Sequence, residues 1–181
     1  MTDPRWLPLP LCLLLAGCPD GGPDTPPQPL QIGVHDTTLD TFVPLAEADM
    51  MAVVLGANEL NMIVPSLRAI DIDPRGPDPT VEVDVGGVIM AADIEGSRVD
   101  MQPDADGYVL WDLRVPFQAE LCCFNCVTGI VTAYMEDASG VDFEGSVTVL
   151  LSRNGGACPA PTICCATADL CPVPELAPLC E

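Results

Sequence analysis

"CVTGIVTAYMEDASG", Cys126–Gly140, followed shortly by "SVTVLL", Ser146–Leu151, is the stretch that decides the fold class. In the first segment Val127, Gly129, Val131, Ala133 and Met135 take every second position, and in the second Val147, Val149 and Leu151 do the same. A period of two places those residues on one face of an extended chain, the arrangement of a half-buried strand. Between them "EDASG" supplies turn residues, with Asp137 and Gly140 carrying a longer loop, so the pair reads as a β-hairpin.

The same period recurs toward the N-terminus. "TVEVDV", Thr80–Val85, sets Val81, Val83 and Val85 on one face against Glu82 and Asp84 on the other. "YVLWDLRV", Tyr108–Val115, turns Val109, Trp111, Leu113 and Val115 inward and Asp112 and Arg114 outward, so Trp111 is expected between two sheets. "MMAVVLGA" from Met50 and "NMIVPSLRAIDI" from Asn61 suit more deeply buried strands. The second of these needs a bulge or a change of sheet at Pro65, because proline has no N–H to give to a ladder. No window of a dozen residues holds a helical period. Some seven short strands separated by turn signals predict an all-β, immunoglobulin-like two-sheet sandwich.

Composition limits what such a domain can do. The 181 residues include 27 Asp and Glu, six arginines and no lysine, for a formal charge of −21. Nucleic acid and anionic headgroups both require a basic patch, so neither is an expected partner. Apolar residues make up 49% of the chain, too many for a disordered polyelectrolyte. One domain is expected, over 30–153.

The N-terminal residues read as an export signal. Arg5 and the free amine precede a ten-residue apolar run, Trp6–Leu15, that is too short to span a bilayer. Leu15-Ala16-Gly17-Cys18 resembles the lipobox of bacterial lipoprotein precursors. That resemblance implies that residues 1–17 are removed and that Cys18 receives a diacylglycerol, which ties the protein to a membrane. The following "PDGGPDTPPQP" has five prolines, two glycines and no apolar side chain to bury, so 18–29 forms a semi-extended tether of about 3 Å per residue. In lipoproteins an Asp directly after the cysteine favours the inner membrane. Pro19 holds that place here, so the resemblance points to the outer membrane.

The domain sequence carries a second resemblance. "TFVPLAEADMMAVVLGANELNMIVPSLRA", a paired-valine strand, "PDADGY" and the "YMEDASG" hairpin are similar to uncharacterised envelope lipoproteins of large-genome Gram-negative bacteria. Those proteins join a lipobox, a Pro-rich tether and one β-sandwich. The shared motifs are turn and core signatures, so they imply a fold and carry no activity.

Setting aside Cys12 in the leader and Cys18 leaves eight cysteines: Cys122, Cys123 and Cys126 in "CCFNC", and Cys158, Cys164, Cys165, Cys171 and Cys180 in a Pro-rich tail over 154–181. An even number in an exported chain predicts a disulfide framework. Three and five are both odd, so full intrachain pairing demands an odd number of bridges between the groups and staples the tail to the sandwich. Closing a loop of about forty residues, as between Cys123 and Cys164, stabilises by ~4 kcal/mol less any strain. The same sulfurs offer a different class of function, a small metal or redox protein, through the spacing of Cys123 and Cys126. Export into an oxidising space and the lack of a nearby histidine or thioredoxin-like helix weigh against it.

Acidic loops supply another alternative, a calcium-dependent adhesion or carbohydrate-binding module. Asp104 and Asp106 before Gly107 open like a calcium loop but lack its later ligands, and an Asp-Gly turn between strands is the simpler reading. Asp71, Asp73 and Asp78 gather in "DIDPRGPDP" as half of a calcium site or as solvated loop charges. His35, the only histidine, has no nucleophile signature beside it and reads as a surface residue. The expectation is a lipid-anchored envelope protein without catalytic activity or cofactor, binding a protein or glycan.

Overall fold

The computed structural model describes residues 26–56, 60–91, 100–117, 126–153 and 155. Every regular element among them is a strand. In chain order these are β1 (Gln28–Asp36), β2 (Thr41–Pro44), β3 (Asp49–Leu55), β4 (Asn61–Ile63), β5 (Ser66–Ala69) and β6 (Asp78–Val85). They are followed by β7 (Val88–Ala91), β8 (Gln102–Asp104), β9 (Gly107–Leu110), β10 (Val115–Pro116), β11 (Val127–Glu136) and β12 (Asp142–Arg153). The chain is thus all-β, and its strands hydrogen-bond into one large sheet with both parallel and antiparallel pairs.

The hairpin of β11 and β12 lies at the centre of this sheet. β11 and β12 pair antiparallel from Val127 opposite Leu151 to Glu136 opposite Asp142. Val131, Ala133, Met135, Val147, Val149 and Leu151 are all buried on one face, as the period of two requires. The turn closes through Asp137, whose main-chain N–H donates to the Val141 carbonyl, and through Gly140, which sits at φ 80 where a side chain would be strained. β6 pairs with the other edge of β11 and continues to β7.

β12 starts four residues before Ser146, because Phe143 also turns inward. Its second edge holds two parallel partners, β1 at Phe143–Glu144 and β3 from Val149 to Arg153. Where β1 leaves, Gly145 lies so close that a Cβ would stand 1.9 Å from the Leu30 carbonyl oxygen. In the gap between the two partners the Thr148 carbonyl accepts from Ala48 N–H. From Leu30 onward β1 pairs instead with β5, and its last residues pair with β2. β5 leads on to β9 and β8, while β3 leads to β4 and β10.

Two expectations from the apolar runs fare differently. At Pro65 the chain does change partners: β4 pairs with β3 and β10, whereas β5 pairs with β1 and β9. Tyr108–Val115, in contrast, is not one strand. β9 ends at Leu110, and Asp112 takes a left-handed φ of 55 with its N–H donated to Ser66 Oγ at 3.2 Å. Leu110 of β9 faces the core while Val109 and the half-buried Trp111 lie outside it, and beyond the kink Leu113 and Val115 join the core with Leu110. Division of this kind, together with short hairpin strands, raises the count from the expected seven to twelve.

One contiguous core joins the inner faces. Val81, Val83 and Val85 of β6 pack with the β11–β12 residues and with Leu30, Ile32, Met51, Val53, Ile63, Leu67, Leu110 and Val115. Each such side chain contributes roughly 1.5–3 kcal/mol on removal from water. No buried side-chain nitrogen or oxygen among the described residues lacks a hydrogen-bond partner.

Candidate functional site

Of the sequence-derived site residues, Cys18, Cys122, Cys123, Cys158, Cys164, Cys165, Cys171 and Cys180 lie outside the described residues. Cys126 stands at the entrance to β11. Its N–H donates to the Leu151 carbonyl at 2.7 Å, which starts the central hairpin. It is the only cysteine among the described residues. No helix among the described residues is long and apolar enough to cross a membrane.

The acidic loops do not assemble a metal site. "PDADGY" forms the β8–β9 hairpin, with Asp104 opposite Gly107. Asp104 and Asp106 both accept from Arg68, each at 3.2 Å, so a guanidinium occupies the place a cation would take. In "DIDPRGPDP" the Arg75 guanidinium and main-chain N–H hold the Asp73 carboxyl down to about 2, and Asp78 sits apart at the start of β6. Among the described residues no three His, Cys, Asp or Glu side chains converge as metal ligands.

Two arrangements remain. The first is an open cleft of about 510 Å³ at the turn end of the central hairpin. It is lined by Pro27, just before β1, and by Asp78, Tyr134, Glu136, Asp142 and Glu144 among others. Strand register explains the charge: Glu136 lies directly opposite Asp78 on one side and Asp142 on the other. Three like charges in one cross-strand row oppose folding slightly, and no Lys or Arg lines the cleft to offset them. Tyr134, one step along β11, is 41% exposed and stands between Thr80 and Glu144. Asp137 anchors this end. Burial pushes its carboxyl upward, but the Ser139 hydroxyl and the N–H groups of Val141, Asp73 and Ser139 outweigh that and hold it below the ordinary value.

The second arrangement was not visible in the sequence. His35 does not sit free on the surface. Its Nε2 is 3.0 Å from Asp40 Oδ1 and its Nδ1 is 3.2 Å from Asp112 Oδ2. The ring lies against Trp111 at a centroid distance of 4.5 Å. Trp111 in turn approaches Phe42 at 6.4 Å, and the Arg68 guanidinium covers the Phe42 ring at 4.5 Å. Phe42 reaches this position because Gly33 has no side chain: a Cβ there would come within 2.5 Å of the ring. Hydrogen bonds donated to the Asp40 and Asp112 carboxylates raise the His35 pKa from the ordinary value of 6.5 against the opposing effect of desolvation. The pairing of His35 with Asp40 across a short turn is a weak sequence signal; nothing local announces Asp112, 77 residues away.

No family model matches this chain, and a search of curated proteins returns no match.

Proposed function

We propose that this is an exported lipoprotein, anchored through Cys18 and held in the outer membrane, whose immunoglobulin-like β-sandwich serves as a non-catalytic binding module for an envelope protein or glycan. Leu15-Ala16-Gly17-Cys18 and the Pro-rich tether support the anchor. Two features support the sandwich: β1 and β3 each change partner along their length, and the inner faces share one core. The eight remaining cysteines then form the framework that staples the tail, with Cys126 as one half of a bridge.

The observation that carries the binding role is the open cleft beside Pro27. It lies where the tether enters the domain, so a ligand there would be met close to the anchored end. Its carboxylates accept hydrogen bonds from hydroxyl and amine groups, and the exposed Tyr134 ring offers a flat apolar face, a combination suited to sugars and to basic peptide segments. Two measurements test the proposal. Palmitate labelling in a Gram-negative host is expected for the full chain and lost in Cys18→Ser; a labelled Cys18→Ser protein refutes the anchor. Binding of the purified protein to envelope glycans and envelope proteins is expected to fall at least tenfold in Tyr134→Ala, about 1.4 kcal/mol. Unchanged binding in a folded Tyr134→Ala variant places the ligand elsewhere.

A further inference from the structure

His35 has a carboxylate at each ring nitrogen, Asp112 at Nδ1 and Asp40 at Nε2. A neutral imidazole carries one N–H, and its other nitrogen presents a lone pair that a carboxylate oxygen avoids. Both contacts therefore hold together only in the imidazolium, which donates from both nitrogens. Each acceptor also occupies a strained backbone position, Asp40 at φ 52 and Asp112 at φ 55, in the left-handed region. The ring thus fastens two tight reversals far apart in sequence: the β1–β2 turn and the link from β9 to β10.

The charges around the ring favour that state. On its own strand Asp36 is turned away to the Thr38 and Leu39 N–H groups. β2, "TFVP", brings no titratable side chain. The β9–β10 link brings Asp112 and, two residues on, the exposed Arg114. Arg68 of β5 is separated from the imidazole by Phe42 and Trp111 and is engaged by Gln31, Asp104 and Asp106. The His35 side chain is only 16% exposed, whereas Asp40 is 90% exposed and Asp112 51%.

We propose that His35 is a pH-operated brace: protonated, it locks the β1–β2 turn to the Trp111 link, and deprotonated, it keeps Asp112 and releases the turn at Asp40. Asp40 is the contact that opens because water already surrounds its carboxylate and replaces the imidazole at little cost. Asp112 stays, since Trp111 holds the ring over the link and Ser66 Oγ holds the Asp112 N–H. Because the His35 pKa is raised, the brace is fully closed below 6.5 and opens as pH rises through the raised value.

The chain has one histidine and two tryptophans, Trp6 in the leader and Trp111. A full-length Trp6→Phe protein therefore reports the site with one imidazole and one indole. In a ¹⁵N NMR titration the imidazole is expected to titrate above 6.5, with the Leu39, Asp40 and Thr41 amides and the Trp111 emission following the same midpoint. Exchange of the turn amides, corrected for intrinsic base catalysis, should rise several-fold above that midpoint. Asp40→Asn and Asp112→Asn should each lower the midpoint, and His35→Gln should abolish the step in the turn amides. A midpoint at or below 6.5, or turn amides that do not respond when the imidazole titrates, overturns the proposal. The parent titration alone decides the matter if a substituted protein does not fold.

Discussion

Removing the Asp137 side chain is expected to destabilise the protein by about 3 kcal/mol. Asp137 is 5% exposed, and its carboxylate accepts four hydrogen bonds. Oδ1 takes the Ser139 N–H at 2.8 Å, the Ser139 hydroxyl at 2.7 Å and the Val141 N–H at 3.0 Å, while Oδ2 takes the Asp73 N–H at 3.1 Å. Ser139 and Val141 are exposed, so in Asp137→Ala their donors find water and lose only the charge-assisted part of each bond. Asp73 is half-covered, and its N–H is the donor left without a ready replacement. Roughly 1 kcal/mol for each of the three main-chain bonds gives the total, and a fall in Tm of about 10 °C for a domain of this size. Asp137→Asn keeps Oδ1 but turns an amide N–H₂ toward the Asp73 N–H, so about half the loss is expected. The folded-state pKa of Asp137 is lowered, so its ionised form contributes stability that is fully present above 3.8 and is lost as pH falls through the folded value. Urea unfolding of the parent and Asp137→Asn proteins should therefore show a gap near neutral pH that narrows as the pH falls below 3.8. A cost below about 0.5 kcal/mol for Asp137→Ala, or a gap that does not change with pH, would falsify the assignment of Asp137 as the anchor of the hairpin turn.

Two further substitutions test the framework. Gly145→Ala places a methyl 1.9 Å from the Leu30 carbonyl oxygen, so β1 and β12 must part by more than an ångström; a cost of about 3 kcal/mol or more is expected by denaturant unfolding. Gly87→Ala has open space and only a φ of 87 to contend with, so about 1 kcal/mol is expected there, and equal costs at the two sites would show that the close approach is not real. Trp111→Ala, at a half-buried ring stacked on His35 and Phe42, should cost about 1–2 kcal/mol, less than the roughly 3–5 of an aromatic packed in the core. A core-sized loss in urea unfolding would contradict the position of Trp111 outside the main core.

What the sequence made legible is what a strand's own neighbours determine. The β6, β11 and β12 faces follow from alternation, since a one-residue slip would turn every valine outward, and the Asp137–Gly140 reversal follows from turn chemistry. Pro65 announced a change of partner because a missing N–H is a local fact. The additional strands were hidden for the converse reason. β1 and β3 each divide their length between two partners, and alternation continues unchanged across the division.

Trp111 shows why the second arrangement escaped. Val109, Trp111, Leu113 and Val115 keep a strict period of two, and three of the four are indeed buried. The period alone places Trp111 with them. What separates them is the left-handed turn at Asp112, which Ser66 stabilises from 46 residues away by accepting the Asp112 N–H: Leu113 and Val115 join Leu110 in the core, while Trp111 stays with Val109 outside that cluster. The same turn delivers the Asp112 carboxylate to His35 and lays the indole on the imidazole. One distant polar contact thus accompanies a change of face and gives the single histidine one of its two carboxylate partners. A site made in this way leaves no periodic trace, because neither Ser66 nor Asp112 breaks the apolar pattern around it. The hydrogen bond that fixes the kink therefore also positions Asp112, the second of the two carboxylates that raise the His35 pKa, so Ser66→Ala should lower the His35 midpoint in the ¹⁵N titration while the Asp40 contact remains.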